Sequence, residues 1–215
     1  VVVEDAACSL GAKIESDFVG NIADFSCFSF HPRKVITTGE GGMITTNNDE
    51  IAAKCSSYKH FGAVGSSFEN IGTNYKLSNV LGAIGLEQMK KIEKIVSDRN
   101  EKARIYEEML EKIDGIKPAY TKKGFRQTFQ SYTCYVEEEG FRDKIRKALD
   151  EENIQSQIGT YALHLEPAYK NIKRVGNLEN SEKLFYNSIT LPLHKDLTNE
   201  DQEKICHVIK STLMN

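Results

Sequence analysis

The stretch FSFHPRKVITTGEGGMITT (residues 28–46) sets a lysine between two strand-like runs and follows it with a cluster of glycines. Ahead of Lys34, residues 23–30 (ADFSCFSF) set Phe25, Cys27 and Ser29 against Ser26, Phe28 and Phe30, the two-residue period of a strand. Behind it, GGMITT reads as a second strand entered through glycines. Between them, Pro32 fixes its own backbone, and Gly39, Gly41 and Gly42 permit conformations or close approaches that a Cβ forbids. The loop is therefore punctuated to hold something in place, although Lys34 alone also reads as an ordinary surface lysine. A nucleotide P-loop is the weaker alternative, because there the lysine follows the glycines and opens a helix.

Working outward, Val1–Val3 form a continuous apolar run of the kind found in buried parallel strands, with Asp5 at the carboxyl end. Ligands of open α/β sheets gather outside such strand ends; a carboxylate there also serves as a cap. An opening as apolar as VVVEDA reads as the inside of a domain, which raises the expectation of a fragment or half of a split protein whose sheet continues elsewhere. Downstream, Asn48 caps a predicted helix over residues 49–61, and Ser78 caps a long helical region with Leu81, Ile84, Met89, Ile92 and Val96 near the helical period. An interruption is expected at residues 97–100, before a second stripe of Ile105, Met109 and Ile113. After residues 115–118 the pattern changes. SYTCYV, IQSQIG and ITLPL read as strands, FRDKIRKALDEEN and NSEKLFYNSI as helices, and TNED opens a final helix with a capping box at Thr198. This part lacks regular βαβ alternation, which makes it a small α+β domain. The expected division is residues 1–96 for the remainder of a cofactor-binding large domain and 97–215 for a connecting helix and the small domain.

The 215 residues, 40% hydrophobic and 27% charged, fit a folded globular chain, and a net charge of −3 gives no sign of a nucleic-acid surface. Lys-rich stretches such as QMKKIEKIV alternate with Glu and read as solvated helix faces. No apolar run reaches a membrane span. Five scattered cysteines without a CxxC pair indicate neither a zinc site nor a disulfide framework, and a reducing cytoplasm is the simplest home.

One chemistry that wants a strand-end acid and a loop lysine together is that of pyridoxal 5′-phosphate. Its aldehyde needs an amine, and its ring nitrogen needs a carboxylate to stay protonated. The spacing alone argues this weakly. VVVEDAACSLGA, FSFHPRKVITTGEGGMITT and IGTNYKLSNVLGAIGLEQM, followed by YALHLEPAY and ITLPLHKDLTNEDQEKI, resemble in that order the signature blocks of the DegT/DnrJ family of sugar aminotransferases.

The resemblance covers essentially the whole chain and implies an α/β fold: the C-terminal part of a fold-type-I aminotransferase large domain, mostly parallel sheet with helices, then a small α+β domain. It implies transfer of an amino group from an amino acid, by analogy glutamate, to a nucleotide-linked keto sugar, most resembling members that aminate at C4. Lys34 matches the Schiff-base lysine, and relatives with His there are dehydratases. Asp5 matches the acid on the pyridine nitrogen, and Ser29 a serine on the phosphate. Asn74 matches an asparagine reaching the phosphate of the neighbouring subunit, which implies a homodimer with a shared site. Cys8 stands beside the ring where relatives commonly carry His or Gln. His164 is a candidate substrate contact, and Gly159 falls where many relatives have a further His. The family's N-terminal portion, which supplies phosphate contacts and a stacked aromatic ring, has no counterpart in these residues. The alternative is thus a non-catalytic fragment that needs its missing N-terminal half or a partner chain to bind cofactor. A lysine-imine lyase of the same fold is a third possibility.

Overall fold

In the computed structural model of the chain, which describes residues 1–214, the strand patterns on either side of the Lys34 loop fold as neighbours. In chain order, β1 (Val3–Asp5) is followed by the two-residue strands β2 (Lys13–Ile14) and β3 (Asp17–Phe18), then β4 (Phe25–Ser29) and β5 (Gly42–Thr45). β1 runs parallel to β4, with Val3 opposite Phe25 and Asp5 opposite Cys27. β5 runs antiparallel to β4, with Ser29 opposite Gly42. This sheet is therefore mixed, where a mostly parallel one was expected. A parallel return needs a crossover, usually a helix, but the chain between β4 and β5 folds straight back onto Phe30. β1 lies at the edge of the order β1-β4-β5 with a neighbour on one side only, and Val3, like Val1 and Val2 ahead of it, is exposed and not buried.

Asn48 caps α1 (Asp49–Tyr58) by accepting from the N–H groups of Glu50 and Ile51. A hairpin of β6 (Ala63–Val64) and β7 (Ser67–Phe68) follows. Ser78 then caps α2 (Asn79–Met89), and α3 (Ile92–Leu110) begins after a break at residues 90–91. That break replaces the one expected at residues 97–100, which are continuous helix. Early re-entry lets Ile92 and Val96 bury against Phe30 and Ile36, flanked by Leu10, Val35 and Ile95. α2 departs from the expected stripe: none of its residues is buried, and Val80, Ile84, Leu86 and Met89 are exposed.

The chain divides into two compact units, and α3 crosses from the first to the second. The first holds Val1–Ser97 and also Thr121–Gln130. The second begins at Asp98 with the rest of α3 and β8 (Ile116–Lys117). β9 (Phe125–Arg126) belongs to the first unit, where it pairs antiparallel with β2. Arg126 donates to the Gly11 carbonyl and to the Glu93 carboxylate, whose acidity it strengthens.

The second unit continues with β10 (Tyr132–Val136), α4 (Phe141–Glu151), β11 (Gln157–Ile158), α5 (Glu179–Asn187), β12 (Ser188–Leu191) and α6 (Asn199–Leu213). Its sheet, β11-β12-β10-β8, is wholly antiparallel. The α4 stripe buries Ile145 and Leu149, and Ile205 and Ile209 of α6 are buried likewise. Tyr106 stacks on Tyr132 at 4.9 Å between ring centroids, and its hydroxyl donates to the Pro192 carbonyl. Thr198 and Asp201 form a complete capping box at the start of α6. The fold is α/β with mixed sheets. Among the described residues, no helix is long and apolar enough to cross a membrane.

Candidate active site

The Lys34 loop is closed at its neck. Phe30 N–H donates to the Gly41 carbonyl at 2.9 Å, while the Phe30 carbonyl accepts from Thr38 N–H at 3.1 Å and from the Thr37 hydroxyl at 2.8 Å. Lys34 N–H donates to the His31 carbonyl, forming a turn at the lysine itself. On the far side, buried Ile36 pins the loop into the apolar cluster with Phe30, Ile92 and Val96. The glycines make the return possible. Gly39 has φ +87°, in the left-handed region where a Cβ strains the backbone, and a Cβ on Gly42 would stand 2.6 Å from the Phe28 carbonyl oxygen. The glycines serve the re-entry to β5, and the only expected site residue in the loop is Lys34.

Asp5, Cys8, Ser29 and Lys34 all belong to the carboxyl end of the parallel β1–β4 pair or to the turns that leave it. Asp5 is exposed, and its carboxylate accepts one hydrogen bond, from Ala7 N–H at 3.1 Å. Its neighbour Glu4 is used up structurally, accepting from the Ser26 hydroxyl at 2.6 Å and from Gly20 N–H at 3.1 Å. Of the two acids at this strand end, Asp5 is therefore the one open to a ligand. Ser29 Oγ accepts from His31 N–H at 3.3 Å, leaving its own hydroxyl proton free to donate. Lys34 is half-buried, and its Nζ donates to Cys8 Sγ at 3.0 Å, so the cysteine meets the lysine directly.

Asn74, also in the first unit, is exposed in a β-bridge with His60. Nearby Lys76 Nζ lies 2.8 Å from His60 Nδ1 and over the Phe61 ring. His164 belongs to the second unit, where Nε2 lies 2.9 Å from Glu182 Oε1 and its carbonyl accepts from Arg174. A side chain on Gly159 would collide with Ser188 and Thr133, its Cβ lying 2.3 Å from Ser188 Cβ, so the neighbours leave no room for a histidine there. A cavity of about 610 Å³ in the second unit is lined by Gln155, Gln157, His194 and Lys204 among others, and none of the expected site residues borders it.

Two residues escaped sequence reasoning. Thr128 Oγ1 donates to the Cys8 carbonyl at 2.9 Å, and Gln130 Nε2 donates to the Arg33 carbonyl. The 121–130 segment thus ties the backbone on both sides of the Lys34–Cys8 contact. Nothing in its composition announces this, because the bonded carbonyls lie about a hundred positions upstream.

The site thus offers a lysine amine on a neck-closed loop and an exposed carboxylate at the tip of a parallel strand, both at one end of the β1–β4 pair. The chain belongs to the DegT/DnrJ/EryC1/StrS aminotransferase family, whose model matches residues 1–210. GDP-perosamine synthase of Caulobacter vibrioides is 32% identical over 221 residues, covering 100% of this chain and 59% of that protein. Among solved structures, a DegT DnrJ EryC1 StrS aminotransferase from Brucella abortus is 33% identical with a TM-score of 0.88, covering 97% of this chain and 56% of that one. A sugar aminotransferase from Streptococcus pneumoniae in its PLP form is 28% identical with a TM-score of 0.88, covering 99% of this chain and 57% of that one. The chain thus spans a little under three fifths of the length of the relatives it matches.

Proposed function

We propose that this chain carries the catalytic lysine of an aminotransferase that moves an amino group from an amino acid, glutamate, to a nucleotide-linked keto sugar. The cofactor in this reading is pyridoxal 5′-phosphate, held at Lys34. The observation that carries the reading is the placement of a half-buried lysine amine and an exposed carboxylate at one end of the β1–β4 pair, in a chain matched by the family model over 210 residues.

The residues present fit that cofactor. Among the described residues the hydrogen-bond partner of Lys34 Nζ is a thiol, a weak acceptor that leaves the amine available to an aldehyde. Asp5 keeps one carboxylate oxygen without a hydrogen-bond partner among the described residues, and Ser29 has a hydroxyl proton to give. Bound pyridoxal phosphate supplies an aldehyde for the amine and an electron sink for the carbanion. Asp5 would pair with the cofactor's ring nitrogen, Ser29 Oγ would donate to its phosphate, and Lys34 Nζ would hold its aldehyde. The Lys34 amine would also be the group that takes a proton from the amino donor and returns it.

Asn74 joins the site from a second copy of this chain, and α2 supports a homodimer. An apolar helix with no buried residue, next to exposed Ile71 and Tyr75, is the surface expected of a subunit interface. His164 is assigned to the nucleotide sugar, with Glu182 fixing its ring. Five free cysteines support a reducing cytoplasm as the setting.

The test compares the full-length protein with its Lys34→Ala variant for visible cofactor absorbance and for glutamate-dependent amination of a nucleotide keto sugar. Both signals should vanish in the variant. Equal absorbance and equal turnover in the two proteins would refute the assignment.

A further inference from the structure

Cys8 and Lys34 are both nucleophiles, and the structure sets them 3.0 Å apart, Sγ to Nζ, across a sequence separation of 26 residues. The contact is held from both sides. Thr128 fixes the carbonyl of Cys8 itself, and Gln130 fixes the carbonyl of Arg33, the residue before Lys34. The sulfur is exposed, so a small oxidant reaches it, whereas Cys134 and Cys206 are buried with thiols pushed well above their ordinary value by desolvation. No other hydrogen bond of the Cys8 sulfur or of the Lys34 amine competes with this pairing among the described residues.

We infer that Cys8 and Lys34 form an oxidative modification site, closed by a sulfur–nitrogen bond between the two side chains when the thiol meets a peroxide. In the first step the sulfur attacks hydrogen peroxide. The O–O bond breaks, an S–O bond forms, the thiol proton leaves with the departing oxygen as water, and Cys8 becomes a sulfenic acid. In the second step the neutral Lys34 amine attacks that sulfur. The S–N bond forms, the S–O bond breaks, and the hydroxide leaves as water with one amine proton. Overall, one thiol, one amine and one hydrogen peroxide give one sulfenamide and two waters. The peroxide is reduced and the sulfur oxidised, and a dithiol reverses the bond by attack at sulfur. Sulfenic acids condense with a thiol or a nitrogen within reach; here the nitrogen is already in contact.

The consequence rests on the reading of Lys34 above: a lysine tied to Cys8 has no free amine to offer an aldehyde. Oxidation would therefore switch off the empty site reversibly, and a bound cofactor, by occupying the amine, would protect it. The chemistry of the bond itself does not depend on that reading.

The experiment treats the cofactor-free full-length protein with hydrogen peroxide, blocks remaining thiols, digests it with a protease and maps cross-linked peptides by mass spectrometry. Cys8→Ser and Lys34→Arg serve as controls, and both sites lie on turns outside the core, so folding is checked by circular dichroism. The expected result is a Cys8–Lys34 linked peptide, lighter than the sum of its parts by two hydrogens. It should disappear with dithiothreitol and be absent from both variants. Sulfenic or sulfinic acid on Cys8, or a disulfide to it, with Lys34 unmodified, overturns the inference. A second arm repeats the oxidation with pyridoxal phosphate at ten times its Kd, which should slow cross-linking about tenfold by occupancy. Linking at an unchanged rate in that arm, with the cross-link itself present, overturns the cofactor reading of Lys34 and leaves the modification site standing.

Discussion

Ile36→Ala tests whether the apolar anchor beneath the Lys34 loop holds the loop shut. Ile36 is 2% exposed and packs with Phe30, Ile92 and Val96. The substitution removes three carbons, worth roughly 2.4 kcal/mol at about 0.8 kcal/mol per buried methylene. The residual cavity adds to this, and measured Ile→Ala losses span about 2–5 kcal/mol, so we expect about 3 kcal/mol. Because the chain has two units, a single global unfolding free energy is a poor readout. Native-state hydrogen exchange at the amides of Phe30, Lys34 and Thr38 reads the loop neck directly. Their protection should fall by about 100-fold, the factor that 3 kcal/mol represents at 1.4 kcal/mol per decade. Met43→Ala, at a side chain 52% exposed on β5, is the control and should change protection by little, within about 0.5 kcal/mol. If Ile36→Ala folds poorly, Ile36→Val should show the same pattern at about 1 kcal/mol. Protection at Phe30 and Thr38 that matches the Met43 control in both Ile36 variants would show that the neck is held by its hydrogen bonds and not by the core.

Thr198→Ala removes the side-chain half of the capping box of α6 and should cost about 1 kcal/mol, read as faster native-state hydrogen exchange at the Gln202 amide, which donates to the Thr198 carbonyl. The backbone and side chain of Thr198 hold the Asp201 carboxyl below its ordinary value. That contribution is present above the unfolded carboxylate range and is lost as pH falls through the lowered value; Thr198→Ala should flatten this acid-side slope, and an unchanged slope counts against the box. Burial pushes the Cys206 thiol from 9.0 up to about 12. Between those values the unfolded chain ionises while the folded one does not, so stability should decline as pH rises through that window, and less steeply in Cys206→Ala. A thiol reagent at neutral pH should label exposed Cys8 at once and Cys134 and Cys206 only on unfolding; early loss of Cys134 would contradict its burial. Arg126→Ala should free β9 from the first unit at a cost of about 1–2 kcal/mol, seen as faster proteolysis within residues 121–130, and unchanged cleavage would mean the segment is held by other contacts.

Local chemistry was legible wherever one short stretch contains its own cause. Asn48, Ser78 and Thr198 cap the helices their side chains predict, and the β4 alternation buries Ser26, Phe28 and Phe30 on one face. The α4 stripe through Ile145 and Leu149 is buried as its spacing implies. What failed depended on distant partners. The two-residue strands β2, β3 and β9 carry no period of their own, and their pairing with one another is a property of the folded unit. The helix break moved to residues 90–91 because Ile92 and Val96 have a core to enter, a fact invisible in the apolar period they share with α2. The candidate site divides the same way. The lysine and the strand-end acid could be singled out from loop punctuation and strand position. The meeting of Cys8 with Lys34 and the backbone ties from Thr128 and Gln130 needed coordinates, because each joins segments that sequence spacing leaves unrelated.

With Phe30 bonded to Gly41, Thr37 and Thr38, the backbone beneath Lys34 behaves as a fixed post, and the four-carbon side chain is the moving arm. Rotamer changes of such an arm take picoseconds to nanoseconds, against microseconds or longer for a hinged loop. The amine can therefore trade one partner for another far faster than any domain closes, and its timing is set by whatever molecule arrives.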